Sequence, residues 1–182
     1  MTSRNFEKLL LVGDSMIEFF DWQERFPDHQ VHNLGRSGES VEELRARAPQ
    51  IVERFTAPDL VLVMIGTNNV AMGNFTFLSA YEDILETFQE AYPDAVIVVN
   101  SLLPMELGYL ALETVPRVNS SLKSMAVGCG AIYLDSWTAM VDKTGRVRED
   151  ILEDEVHLTN QGYQVWAAEL EKLLAGLVPC NT

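Results

Sequence analysis

Ser15 is the first residue along the chain suited to covalent chemistry. It stands in Gly13-Asp14-Ser15-Met16-Ile17, directly after an apolar run. A serine on a sharp strand-to-helix turn exposes its hydroxyl and aims its backbone N–H into the same site. The elbow of the α/β-hydrolase fold reads G-x-S-x-G, and Ile17 occupies the place of its second glycine, so that elbow is absent. The other reading of Ser15 is a helix N-cap. A nucleophilic serine also needs a base. Of the three histidines, only His157 has an acidic residue three positions earlier, Asp154; Phe26 and His29 hold that place before His29 and His32. When such a segment turns, the carboxylate accepts Nδ1–H and leaves Nε2 free to take a proton. His29 and His32 read as ordinary surface or strand histidines.

Two further segments can supply donors to a developing oxyanion. In Asn33-Leu34-Gly35-Arg36-Ser37-Gly38 the glycines let backbone N–H groups approach a ligand, although the segment also suits a plain turn before a helix. Gly66-Thr67-Asn68-Asn69 follows the most apolar run. Asn68 can aim its amide N–H₂ into a crevice there, or it can serve a polar turn. In chain order these segments provide a nucleophile, a backbone donor, a side-chain donor and an acid–base pair. That is the part list for acyl transfer.

Gly13-Asp14-Ser15, Gly38, Asn68 and Asp154-Val156-His157 together resemble, in order and spacing, the four motif blocks of the SGNH (GDSL-type) hydrolases. The stretch from His157-Leu158 to Gly162-Tyr163 is similar to that family's ending, so the resemblance spans residues 13–163. It implies a flavodoxin-like three-layer α/β/α sandwich with a five-stranded parallel sheet. It also implies ester hydrolysis through a Ser-His-Asp triad and an acyl-enzyme, without metal or organic cofactor. By motif position Ser15 is the nucleophile, His157 the base and Asp154 the group that orients it. The implied oxyanion hole is the N–H of Ser15, the N–H of Gly38 and the side chain of Asn68. Three residues depart from the family pattern. Met16 replaces the leucine of the name-giving motif with an apolar side chain of similar size. Asn69 stands where an aspartate is often found, which removes a charge. Glu155 stands where a glycine is common and can compete with Asp154.

The expected substrate is a small-molecule ester with a short acyl chain, such as an O-acetyl group on a carbohydrate, because the compact chain leaves little room for a large lid. A lysophospholipase or acyl-CoA thioesterase is the alternative within the same chemistry. A non-catalytic binding module on the same scaffold is the alternative of another class. Residues 102–110 are apolar and follow a predicted strand, so they suit either an acyl or alcohol pocket or a packing loop. Arg36 suits an anionic substrate group or a surface salt bridge.

The elements that must position these residues alternate along the chain. Apolar runs at 8–12, 30–34, 59–65, 95–100 and 131–134 are continuous, as in strands covered on both faces. Between and after them, residues 41–55, 77–91, 114–127 and 161–177 place apolar side chains at helical spacing, with Ser40 as the N-cap of the first. The alternation predicts a parallel sheet with helices on both faces. Ligands bind such sheets beyond the carboxyl ends of their strands, which is where the four segments fall. No linker or repeat interrupts the pattern, so residues 1–182 are expected to form one domain.

Composition excludes other classes. Thirteen Lys and Arg against twenty-seven Asp and Glu give a net charge of −14. Phosphate backbones need clustered cations, so nucleic acid is not the expected partner, and an anionic membrane surface is equally disfavoured. No apolar run approaches the roughly 20 residues that span a bilayer. Residues 1–8 show no signal-peptide pattern, and the first apolar run is far shorter than the roughly 7–15 residues such a signal needs. A cytoplasmic location is expected, with Cys129 and Cys180 as free thiols. The sequence does not indicate an oligomeric state.

Overall fold

The computed structural model describes residues 6–177. Cys180 lies outside the described residues. Cys129 is a free thiol. In chain order the elements are β1 (Lys8–Gly13), α1 (Ser15–Glu18), α2 (Trp22–Arg25), β2 (Gln30–Gly35), α3 (Val41–Arg54), β3 (Leu60–Met64), α4 (Thr67–Ala71), α5 (Leu78–Ala91), β4 (Val96–Asn100), α6 (Thr114–Gly128), β5 (Ile132–Leu134) and α7 (Asn160–Leu177). All five expected strands and the four long helices are present, with no end moved by more than one residue. The short helices α1, α2 and α4 carry no periodic signal, because four or five residues hold too little of a helical face to register.

The five strands pair in parallel in the order β2-β1-β3-β4-β5. The expected flavodoxin-like α/β/α arrangement is therefore observed. The continuous apolar runs divide by alternation. Leu10, Val12, Val61, Val63 and Val99 face one layer, built by α3, α5 and α6. Leu9, Leu11, Leu60, Leu62 and Val98 face the other, built by α1, α2 and α7 around Trp22 and Trp166. Both tryptophans are buried, and their rings meet edge to face at 4.9 Å.

Chain order and spatial order part at β1. The chain leaves β1 toward β2 on one side, and β3 then pairs with β1 on the other. A crevice opens at such a switch point, between the loops that follow β1 and β3. Ser15 follows β1 and Asn68 follows β3.

Local chemistry fixes both helix starts beside this crevice. Ser40 caps α3 in a reciprocal capping box: its hydroxyl accepts from Glu43 N–H, and Glu43 accepts from Ser40 N–H at 2.8 Å. At α1 the cap is Asp14 and not Ser15. Asp14 Oδ1 accepts from Met16 N–H at 3.0 Å. Ser15 is thereby the first residue of the helix, with its side chain free of the capping role.

Candidate active site

The geometry begins at Gly13. A Cβ there would lie 1.9 Å from the Met64 carbonyl oxygen and 2.9 Å from Ile17, so only glycine lets β1 turn so sharply against the end of β3. The turn delivers Ser15 to the crevice with 6% of its surface exposed. Its Oγ is 3.4 Å from His157 Nε2. That contact is long for a hydrogen bond, as is common before substrate tightens an active site.

His157 comes from the loop between Leu152 and Leu158, which pair as an antiparallel bridge. The bridge closes the loop so tightly that Asp154 can serve three donors. Its Oδ1 accepts from Val156 N–H at 2.7 Å and His157 N–H at 2.6 Å, and its Oδ2 lies 2.8 Å from His157 Nδ1. These bonds, led by the one from His157 N–H, hold the Asp154 carboxyl at about 2. A carboxylate facing Nδ1 fixes the proton on that nitrogen and leaves the Nε2 lone pair toward Ser15. Glu155 does not compete. Its side chain is exposed, while its backbone carbonyl accepts from Glu106 N–H at 2.8 Å and ties this loop to the one after β4.

On the opposite side, the loop joining β2 to α3 is stitched to the serine turn. Arg36 N–H donates to the Gly13 carbonyl at 2.8 Å, and Ser37 N–H to Glu18 Oε2 at 2.6 Å. Gly38 adopts a left-handed φ of +78°, which lets the loop reverse at no steric cost. The backbone N–H groups of Ser15 and Gly38 donate to no group among the described residues. Asn68 sits in the first turn of α4, and its Nδ2 donates to the Glu39 carbonyl at 3.0 Å. One amide hydrogen is thus spent on orientation, and the second is available. Asn69 is buried and serves α3: its Oδ1 accepts from Val41 N–H at 2.9 Å, and its Nδ2 donates to Glu42 Oε2 at 2.7 Å. An aspartate here would set two carboxylates against each other, so the departure from the family pattern matches Glu42.

Sequence reasoning missed three contributors. Glu39 and Arg47 form a buried ion pair, with Arg47 Nε 2.6 Å from Glu39 Oε1 and Arg47 Nη2 3.0 Å from the Leu34 carbonyl. This pair holds the loop that presents Gly38 and Asn68's acceptor. Phe19, 56% exposed, places its ring 5.6 Å from that of His157. Asp14 is fully buried, and its carboxyl is pushed up to about 6, chiefly by burial. Met16 N–H and Thr67 partly offset the rise, and Glu39 adds to it. Only the Asp14-x pattern before a short helix carried any local signal, as a cap. Of the two expected uses of residues 102–110, packing is seen at their start, and the hollow further on includes none of Ser15, Gly38, Asn68 and His157 in its lining. Leu102 and Leu103 are buried in opposite layers, while Pro104 to Leu107 line a hollow of about 260 Å³ shared with Trp137 and Arg146. Arg36 forms no salt bridge among the described residues, contrary to one of its expected uses.

Comparison with known proteins gives concordant matches. A family model described as the GDSL-like Lipase/Acylhydrolase family matches residues 12–165. Platelet-activating factor acetylhydrolase IB subunit alpha1 of Bos taurus is 27% identical over 177 residues, covering 94% of this chain and 76% of that protein. Subunit alpha2 of Homo sapiens is 27% identical over 176 residues, covering 93% and 77%. A GDSL-like lipase from Bacteroides thetaiotaomicron superposes with a TM-score of 0.76 at 18% identity, over 94% of this chain and 89% of the other. Among the described residues, no helix is long and apolar enough to cross a membrane.

Proposed function

The chain belongs to the GDSL-like lipase/acylhydrolase family and is a hydrolase, and from that premise we propose that it is a serine esterase acting on short-chain carboxylic esters through Ser15, His157 and Asp154. The observation that carries this reading is the continuous line of contacts from Ser15 Oγ to His157 Nε2 and from His157 Nδ1 to Asp154. Family membership sets aside a non-catalytic binding module.

In this mechanism Ser15 Oγ attacks the ester carbonyl while its proton passes to His157 Nε2. The carbonyl π electrons move onto oxygen, and the oxyanion is held by the N–H of Ser15, the N–H of Gly38 and the free amide hydrogen of Asn68. The tetrahedral intermediate collapses, the C–O bond to the alcohol breaks, and His157 donates its proton to the leaving oxygen. Water then attacks the acyl-enzyme, giving a proton to His157; the bond from the acyl carbon to Ser15 Oγ breaks, His157 returns the proton to Oγ, and the carboxylic acid leaves. Asp154 stabilises the imidazolium formed in each half-reaction. The acetylhydrolase names of the relatives favour acetyl and other small acyl groups over long chains.

The test is labelling of the purified protein with a fluorophosphonate, followed by peptide mapping. An adduct on Ser15 is expected, and an adduct on another residue would reject the assignment. A series of aryl esters of increasing acyl length should give the highest kcat/KM at acetyl to butyryl. A maximum at long chains would favour a lysophospholipase or thioesterase instead.

A further inference from the structure

The chain carries a net charge of −14. Even so, one hollow gathers arginines. Between the edge strand β2 and helix α3 lies a groove of about 550 Å³, and none of its eleven lining residues is Asp or Glu. Three of the chain's nine arginines line it, Arg36, Arg47 and Arg54, together with His32 and Phe55.

The three arginines differ in what they have left to offer. Arg47 is committed to Glu39 and to the Leu34 carbonyl. Arg36 and Arg54 have no carboxylate within ion-pair distance among the described residues, although Arg25, Arg45 and Arg148 do. Arg54 does not trail into solvent unguided: its guanidinium lies 5.5 Å from the centre of the Phe55 ring. His32 packs on the same ring at 4.9 Å. Burial, with Lys8 nearby, lowers the basicity of His32, so it offers a neutral hydrogen-bonding wall. Lys8 itself is engaged with the Thr56 carbonyl. Of the outward backbone N–H groups of the edge strand β2, those of Val31 and Gly35 are already taken by Gln23 Oε1 and Asn33 Oδ1 at 3.0 Å each, so the arginine side chains are the groove's main donors.

We propose that this groove is a binding site, separate from the ester-hydrolysing crevice, for a small multivalent oxyanion carrying phosphate or several carboxylate groups. The guanidinium fork matches an oxyanion in two-point geometry, and two unpaired forks on one groove favour a ligand with at least two negative groups. The volume lies within the range of small-molecule sites.

The experiment is calorimetric titration of the full chain at neutral pH and low ionic strength, with pyrophosphate in one arm and citrate in the other. Saturable binding by either is expected at submillimolar concentration, weakening as salt is added. Binding of pyrophosphate alone assigns a phosphate ligand, of citrate alone a polycarboxylate, and of both a general oxyanion site. Arg36→Gln and Arg54→Gln should each weaken binding by about tenfold, the loss of one charged contact. Arg54→Gln, which lies away from the serine turn, should keep the unliganded melting midpoint and the fluorophosphonate labelling rate of the parent. Absence of saturable binding in both arms, or unchanged affinity in both variants, overturns the proposal.

Discussion

At the residue scale, two acidic groups beside the nucleophile behave in opposite ways. Asp154 has its carboxyl lowered to about 2 by its hydrogen bonds, so its contribution to stability is present above pH 4 and fades as pH falls through about 2. It stays charged throughout the range above about pH 4. Asp14 is raised to about 6 by burial. The folded state then holds the proton more tightly than the unfolded chain, so the contribution is full below about pH 4 and is lost as pH rises through 6. Asp14→Asn keeps a capping oxygen and removes the titration. Relative to the parent, the variant should gain roughly 3 kcal/mol between pH 4 and 7, the worth of about two pKa units. Parallel stability curves for the two proteins across that interval would show that Asp14 carries no such cost. For catalysis, Asn68→Ala should lower kcat by about 10²–10³, the loss of one oxyanion donor, and Ser15→Ala should lower it further. Steady-state kinetics on an acetyl ester measures both, and an Asn68→Ala enzyme with unchanged kcat would remove Asn68 from the oxyanion hole.

Elements matter here through what they hold still. Helix α3 does more than cover the sheet: Arg47 on its inner face clamps Glu39, and the Glu39 carbonyl orients Asn68 on α4. Arg47→Leu leaves a buried carboxylate without its counter-charge, which costs about 3–5 kcal/mol. For a chain of this length that is a drop in Tm of roughly 10 °C. The double variant Glu39→Leu/Arg47→Leu removes both charges and should recover most of the loss. Thermal denaturation of the three proteins checks this; equal Tm for Arg47→Leu and the parent would mean the pair does not hold the loop.

Across the whole molecule, both apolar layers share one sheet. A strand cannot leave the layer of α3, α5 and α6 without also leaving that of α1, α2 and α7, because alternate residues of each strand belong to different layers. Unfolding is therefore expected as one transition, with the calorimetric enthalpy equal to the van't Hoff enthalpy. Two resolved transitions in scanning calorimetry would contradict the expectation of one domain over residues 1–182.

Much of this protein was legible in its sequence because the relevant information is local. Continuous apolar runs mark strands buried on both faces, and helical spacing marks the faces of α3, α5, α6 and α7. Asp154 and His157 are three residues apart, so their hydrogen bond is a property of one turn. Ser15 stands out by residue type and by the glycine two residues before it. What escaped depends on segments far apart in sequence. The Asn68–Glu39 bond joins residues 29 positions apart, and the Asn69–Val41 bond 28. Neither partner advertises the other. The burial that raises Asp14, the ring of Phe19 beside His157, and the carboxylate-free groove beside β2 follow from strand order and from which helix covers which face. Residue types and short spacings determined which groups can react. Only the packing of distant segments decided which charges are buried, which are paired and which remain free to bind.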